Sequence, residues 1–294
     1  MYTISNHKIY SMSQNHKPVF TVHDGDEIVF ETRDCFDNQL TSSDQTMDQL
    51  DWEHINPAIG PVFIEGAASN DTLKVSILDI QVESYGIMVA VPDNGVLGKL
   101  VKTSEVRKIP IVDGYAVFRE DLKIPCKPMI GVIGVAPPKG EIPCGTPGEH
   151  GGNMDNGKIA AGAALYLPIF HDGAMLAMGD VHAAMGDGEI MVSGIEVPAK
   201  IKVKIEVIKG ISISAPMLED ADYCYTIASH EDLEKAIFQA ASMMNEILMD
   251  KLHLSFNEAG MLLSAVGNLE FCQVVDPKRT VRMAVPRTLL KTLF

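Results

Sequence analysis

Two short segments carry residue types that could hold a metal ion or move protons. The first is His150-Gly151-Gly152-Asn153-Met154-Asp155-Asn156. Adjacent glycines let the backbone turn sharply and leave room beside an imidazole. His150 and Asp155 are then free to point at one spot. A neutral imidazole nitrogen and a hard carboxylate oxygen together suit a borderline divalent cation. The second is Gly179-Asp180-Val181-His182-Ala183-Ala184-Met185-Gly186-Asp187-Gly188-Glu189. If 175–182 is extended, Asp180 and His182 stand two apart and share one face. The stretch 174–178 before them is apolar, so a buried strand carries an acid and an imidazole at its end. Asp187 and Glu189 add carboxylates around a glycine. The combined set fits zinc, and its surplus carboxylates could hold a harder ion such as calcium.

Each segment also has a plainer reading. A single Asp or His in a loop is commonly a cap or a solvated group, and Asp187-Gly188 reads as a hairpin turn. No HExxH, EF-hand or zinc-finger spacing occurs. Upstream, Glu31-Thr32-Arg33-Asp34 closes a strand, and Glu65 follows the apolar 61–64. A carboxylate at the mouth of a β body is a candidate ligand or general base, or simply a surface charge. Nucleophilic chemistry finds no support: there is no GxSxG, no Ser-Ser-Gly-Gly core, and no cysteine with a histidine signature around it.

These side chains need a framework to position them. The 294 residues are 46% hydrophobic and 21% charged, which is the composition of a globular protein with a substantial core. The net charge of −15 repels phosphate backbones, so nucleic acid is an unsuitable partner. No apolar run approaches the ~18 residues of a membrane span, and 1–17 lacks an apolar signal core. Five widely spaced cysteines without a CxxC argue against a disulfide framework and for a reducing cytoplasm.

Alternating apolar and polar residues predict strands near 27–33, 73–77, 80–82, 116–118, 129–135, 165–170, 175–178, 190–197 and 201–207. In the last of these, three lysines and a glutamate form the wet face. Gly, Pro, Asn and Asp clusters punctuate the gaps. From about 208 the pattern changes. Residues 233–248 follow helical spacing, with a start at Ser229 and Asp232. Ser255 with Glu258 opens a second, shorter helix that stops at Gly267. Two strands follow, joined by the turn Asp276-Pro277-Lys278-Arg279. The expected fold is α+β and predominantly β. A sandwich or jelly-roll-like body over 1–207 carries the site, and 208–294 forms a smaller α+β portion of two helices and a β-hairpin.

HGGNMDN at 150–156 and GDVHAAMGDGE at 179–189 resemble the two hallmark motifs of the acetamidase/formamidase family. The segment 60–67, Phe30 to Asp34, Leu165 to Pro168 and 259–276 resemble other family segments in the same order. Asn70 and Asn268 depart from the family pattern, neither within a hallmark. The resemblance implies a hydrolase of short linear amides that releases ammonia, a β-rich fold and a homodimer. It also implies a zinc site, with calcium as a possible neighbour. Carried onto this chain, it makes Asp34, His150, Asp155, Asp180 and His182 the candidate metal ligands, with Glu189 as a further candidate. Glu65 or Glu189 is the expected proton shuttle. Two alternatives remain open from sequence: a non-catalytic binding protein whose loops are ordered by the ion, or a hydrolase of cyclic or larger carboxamides.

Overall fold

The computed structural model describes residues 2–294. Two large sheets dominate it. The first is nine-stranded and runs from Tyr2–Ile4 through Glu27–Thr32, Ala199–Ile208, Thr72–Val82 and Ala164–Pro168. It continues through Met217–Glu219, Tyr223–His230 and Arg279–Pro286 to an edge at Asn268–Gln273. The second is eleven-stranded; its centre is Leu176–His182, flanked by Met129–Gly134 on one side and by Ala58–Ile64 and Glu196–Val197 on the other. The sheets face each other. Val75, Ile77, Ile201 and Val203 of the first join Val62, Ile133, Leu176 and Met178 of the second in one buried cluster. Each such side chain, fully buried, contributes roughly 1.5–3 kcal/mol.

The alternation in Ala199–Ile208 produces the half-buried strand its sequence predicts. Ile201, Val203 and Ile205 are buried. Lys200 and Lys202 reach Glu31 and Glu27 of the neighbouring strand at 3.0 and 2.7 Å. The expected strand at 190–197 exists only as Glu196–Val197. Positive φ angles at Glu189 (48°) and Val192 (69°) take the preceding residues out of extended conformation, so their apolar content reflects burial around the cleft rather than sheet pairing.

The helices are α1 (Leu233–Leu252) and α2 (Phe256–Val266). Asp232 caps α1 by accepting from Glu234 N and Lys235 N. Ser229 stays in its strand, where its hydroxyl meets Thr280 Oγ1 at 3.0 Å. Ala236, Ala240, Met244 and Leu248, four apart, form the face of α1 packed over Cys224, Val281 and Val285. The Ser255–Glu258 capping box opens α2, and Gly267 closes it. Because Met217–Glu219 pairs with Ala164–Pro168, the strands after 208 extend the same sheet. Among the described residues, no helix is long and apolar enough to cross a membrane.

Candidate metal centre

The site is assembled on Leu176–His182, a strand buried along its whole length. Sheet register places Glu196 directly opposite His182. On the other flank, Ile130 pairs with Val181 and Val132 with Gly179, so Gly131 faces Asp180. Met129–Gly134 in turn pairs with Gly151–Asn153, and Met154 N donates to Gly131 O at 3.1 Å. The first loop motif is thereby folded back beside the second, and Asp155 arrives next to Asp180.

Glu189 is brought in by a different device. Gly188 N donates to Cys272 O at 2.8 Å, and Val274 N donates to Gly188 O at 3.2 Å. The turn at Asp187-Gly188, closed by Glu189 N donating to Gly186 O at 3.1 Å, thus lies along the C-terminal hairpin. Arg282, 2% exposed, fixes this docking. Its guanidinium donates to Asn156 Oδ1 at 2.9 Å, to Asp187 Oδ2 and to Glu270 Oε2.

Among the described residues, two groups of donor atoms each lie within 4.8 Å: Asp155, His182 and Glu189, and Cys35, Asp180 and Glu196. They adjoin. His182 Nε2 is 2.9 Å from Glu196 Oε2, 3.5 Å from Asp180 Oδ1 and 4.0 Å from Glu189 Oε1, while His182 Nδ1 is 3.9 Å from Asp155 Oδ1. All six side chains are buried. Asp155 Oδ1 and His182 Nδ1 have no hydrogen-bond partner, and Asp180 Oδ1 and Glu196 Oε2 have none beyond their approach to His182 Nε2. Buried polar atoms are rarely left this way, and an ion is one explanation of a cluster of them.

The electrostatics point the same way. Burial pushes the Glu196 carboxyl up to about 7, with His182 opposing and Asp180 adding repulsion. Burial likewise raises Asp155, Glu189 and Asp276 well above the ordinary carboxylate range, and neighbouring acids add to it. Burial alone would lower His182, but Glu196 and Asp180 outweigh it and hold the imidazole well above its usual value. Packed acids that cannot all ionise in a low-dielectric site are relieved by a cation. The donor set therefore fits a divalent ion. Asp155, Asp180 and Glu189 also sit at positive φ, 40°, 53° and 48°. Such backbone costs of order 1–3 kcal/mol per residue and collects at functional sites.

The expected ligands Asp155, Asp180 and His182 thus come together, and Glu189 joins them. Asp34 is buried nearby but belongs to neither group. Its Oδ1 accepts from Asn38 N at 2.7 Å, and burial raises its carboxyl to about 7, with Asp180 and Asp37 contributing. His150 is not brought in. It belongs to neither donor group and is buried on the lining of a separate cavity of about 460 Å³ that Lys278 also lines, with both ring nitrogens lacking a hydrogen-bond partner. Burial and Lys278 lower His150 to about 4. Glu65 is also elsewhere: its side chain is 62% exposed and pairs with His23 at 3.1 Å. The sequence reading missed Cys35, Glu196 and Asp276. Asp276, oriented by Asn153 Nδ2 at 2.9 Å, stood in what reads as a simple turn.

A cavity of about 720 Å³ opens over the donor groups, with Asp180, His182, Glu189, Glu196 and Asp276 on its lining. Ionisable groups with strongly shifted pKa values, gathered on the lining of one cleft, are characteristic of enzyme sites. Comparison with known proteins is specific about which kind. A model of the Acetamidase/Formamidase family matches residues 12–143 and 141–224, and the chain belongs to that family. An acetamidase of Mycolicibacterium smegmatis is 43% identical over 65 residues, a stretch covering 22% of this chain and 16% of that relative. The crystal structure of an acetamidase from Bacillus halodurans superposes with a TM-score of 0.97 at 41% identity, covering 99% of each chain. A predicted acetamidase/formamidase from Thermoanaerobacter tengcongensis also gives 0.97, at 46% identity, over 99% of this chain and 97% of that one.

Proposed function

We propose that this chain hydrolyses linear amides of the formamide and acetamide kind to a carboxylate and ammonia, aided by a divalent cation. One observation carries the reading: buried His182 lies among Asp155, Asp180, Glu189 and Glu196, all but Asp155 on the lining of one cavity, with unpartnered ligand atoms among them. The relatives named acetamidase and formamidase supply the substrate class. An imidazole with several carboxylates suits zinc, and the excess of oxygen donors suits calcium as a second ion. When bound, the cation offsets the acids' repulsion and supplies Lewis acidity towards a carbonyl or water oxygen.

His182, Asp155, Asp180 and Glu196 are the side chains that would hold it. Gly194 N donates to Glu196 Oε1 at 2.8 Å, which fixes that carboxylate with its other oxygen towards His182. Glu189 is assigned the proton. Its carboxyl is raised by burial, so it can take a proton from the attacking water at Oε1 and later deliver it to the leaving nitrogen. Water's oxygen bonds to the carbonyl carbon, the C–N bond breaks, and nitrogen departs as ammonia rather than amide anion. The five cysteines are all unpaired, which supports a reducing cytoplasmic setting.

Ammonia release from formamide and acetamide, with metal analysis of the same samples, tests the reading. His182→Ala and Asp180→Ala should lose both metal and turnover. Glu189→Gln should slow turnover about 10²–10⁴-fold while keeping most of the metal. An unaltered rate in His182→Ala overturns the proposed centre.

A further inference from the structure

The cavity is far larger than acetamide requires. Its volume of about 720 Å³ lies within the ~300–1,000 Å³ range of pockets for drug-sized ligands. Its lining combines two kinds of residue. Besides the acids, Phe36, Met47, Ile55, Val89, Val91 and Val192 line it. All six belong to one apolar cluster, a packed unit separate from the main core. Cys35 links the two sets: it is part of that apolar cluster and also lies in the donor group with Asp180 and Glu196. An amide whose carbonyl lies at the acids would therefore have its acyl chain beginning where the apolar wall begins. Trp52, 53% exposed, stands on the lining as well. Acetamide, with a single methyl group, would leave most of this wall wet.

We propose that the preferred substrates are primary amides with an extended apolar acyl chain, of butyryl length or longer, lying along the wall from Cys35 to Val91. This rests on the amide-hydrolase reading and moves the preferred substrate from formamide and acetamide to longer acyl chains. Each methylene buried on the wall should raise kcat/KM about fourfold, until the wall is covered.

The test measures ammonia release by the metal-loaded enzyme across formamide, acetamide, butyramide, hexanamide and phenylacetamide. A rise in kcat/KM from acetamide to hexanamide supports the proposal. Steady decline beyond acetamide overturns it and leaves amide hydrolysis standing, whereas no ammonia from any member sinks the hydrolase reading itself. Val91→Trp, at a half-buried position, should lower kcat/KM for hexanamide at least tenfold more than for acetamide. Equal loss on both substrates counts against the wall. The wild-type series decides the question even if that variant fails to fold, which circular dichroism would show.

Discussion

Gly131 touches Asp155 in a way only glycine allows: a Cβ at Gly131 would lie 2.4 Å from Asp155 Oδ1 and 2.8 Å from Asp180 Oδ2. The φ angle there is ordinary, so the requirement is space and not backbone freedom. The missing side chain lets carboxylates from two different motifs approach across a strand.

Gly131→Ala should therefore separate the two acids. Overpacking of this kind costs about 1–3 kcal/mol. Denaturant melts should show that loss, and metal analysis should show weakened retention in protein that still folds. Full metal content in the variant would mean that Asp155 and Asp180 do not share an ion.

Arg282→Met removes the cation that ties Asn156, Asp187 and Glu270 together. Breaking a buried pair costs roughly 3–5 kcal/mol. The lower end is expected here, because Asp187 and Glu270 retain contact with water. Turnover should fall further than stability at 25 °C explains, since Glu189 loses its docking. Arg282→Lys should recover little, because an ammonium cannot reproduce the planar fork. Urea unfolding together with the ammonia assay measures both effects.

Chelation should destabilise the fold as well as stop turnover. An ion present at about 100 times its Kd stabilises by about 2.7 kcal/mol, so its removal should lower Tm by several degrees. Restoring zinc should return both Tm and activity. An unchanged Tm after complete removal would argue that the acids need no counterion.

Asp71 gives a pH dependence away from the site. Burial opposes its ionisation, but hydrogen bonds from Gly210 N, Lys209 Nζ and Ala68 N prevail and hold its carboxyl below the ordinary 3.8. A depressed folded pKa stabilises above the unfolded value and loses that stabilisation as pH falls through the folded one. The Tm gap between wild type and Asp71→Asn should be constant above about pH 5 and close below pH 4. A gap that widens in acid would contradict this.

Much of the fold is legible locally. The alternation in 201–207 and the Ser255–Glu258 box are short-range signals, and each appears in the structure where the sequence places it. Asp180 and His182 close the strand that the apolar run before them predicts. Glu196 could not be found this way, because only the pairing of two strands sets it against His182. Cys35 and Asp276 likewise reach the centre through long-range packing. His150 shows the converse: its motif suggests a ligand, but the residue lines a different cavity and belongs to neither donor group.

The shared sheet bears on how the gene could be divided. Ala164–Pro168 lies between Thr72–Val82 and Met217–Glu219, with Leu165 and Leu167 fully buried. Cutting the polypeptide after Ile208 would strip one flank of that strand, leaving a greasy run of open main-chain donors and acceptors. Bare edges of this sort recruit strands from other molecules, so an N-terminal fragment expressed alone should precipitate, and co-expression with the remainder should rescue it.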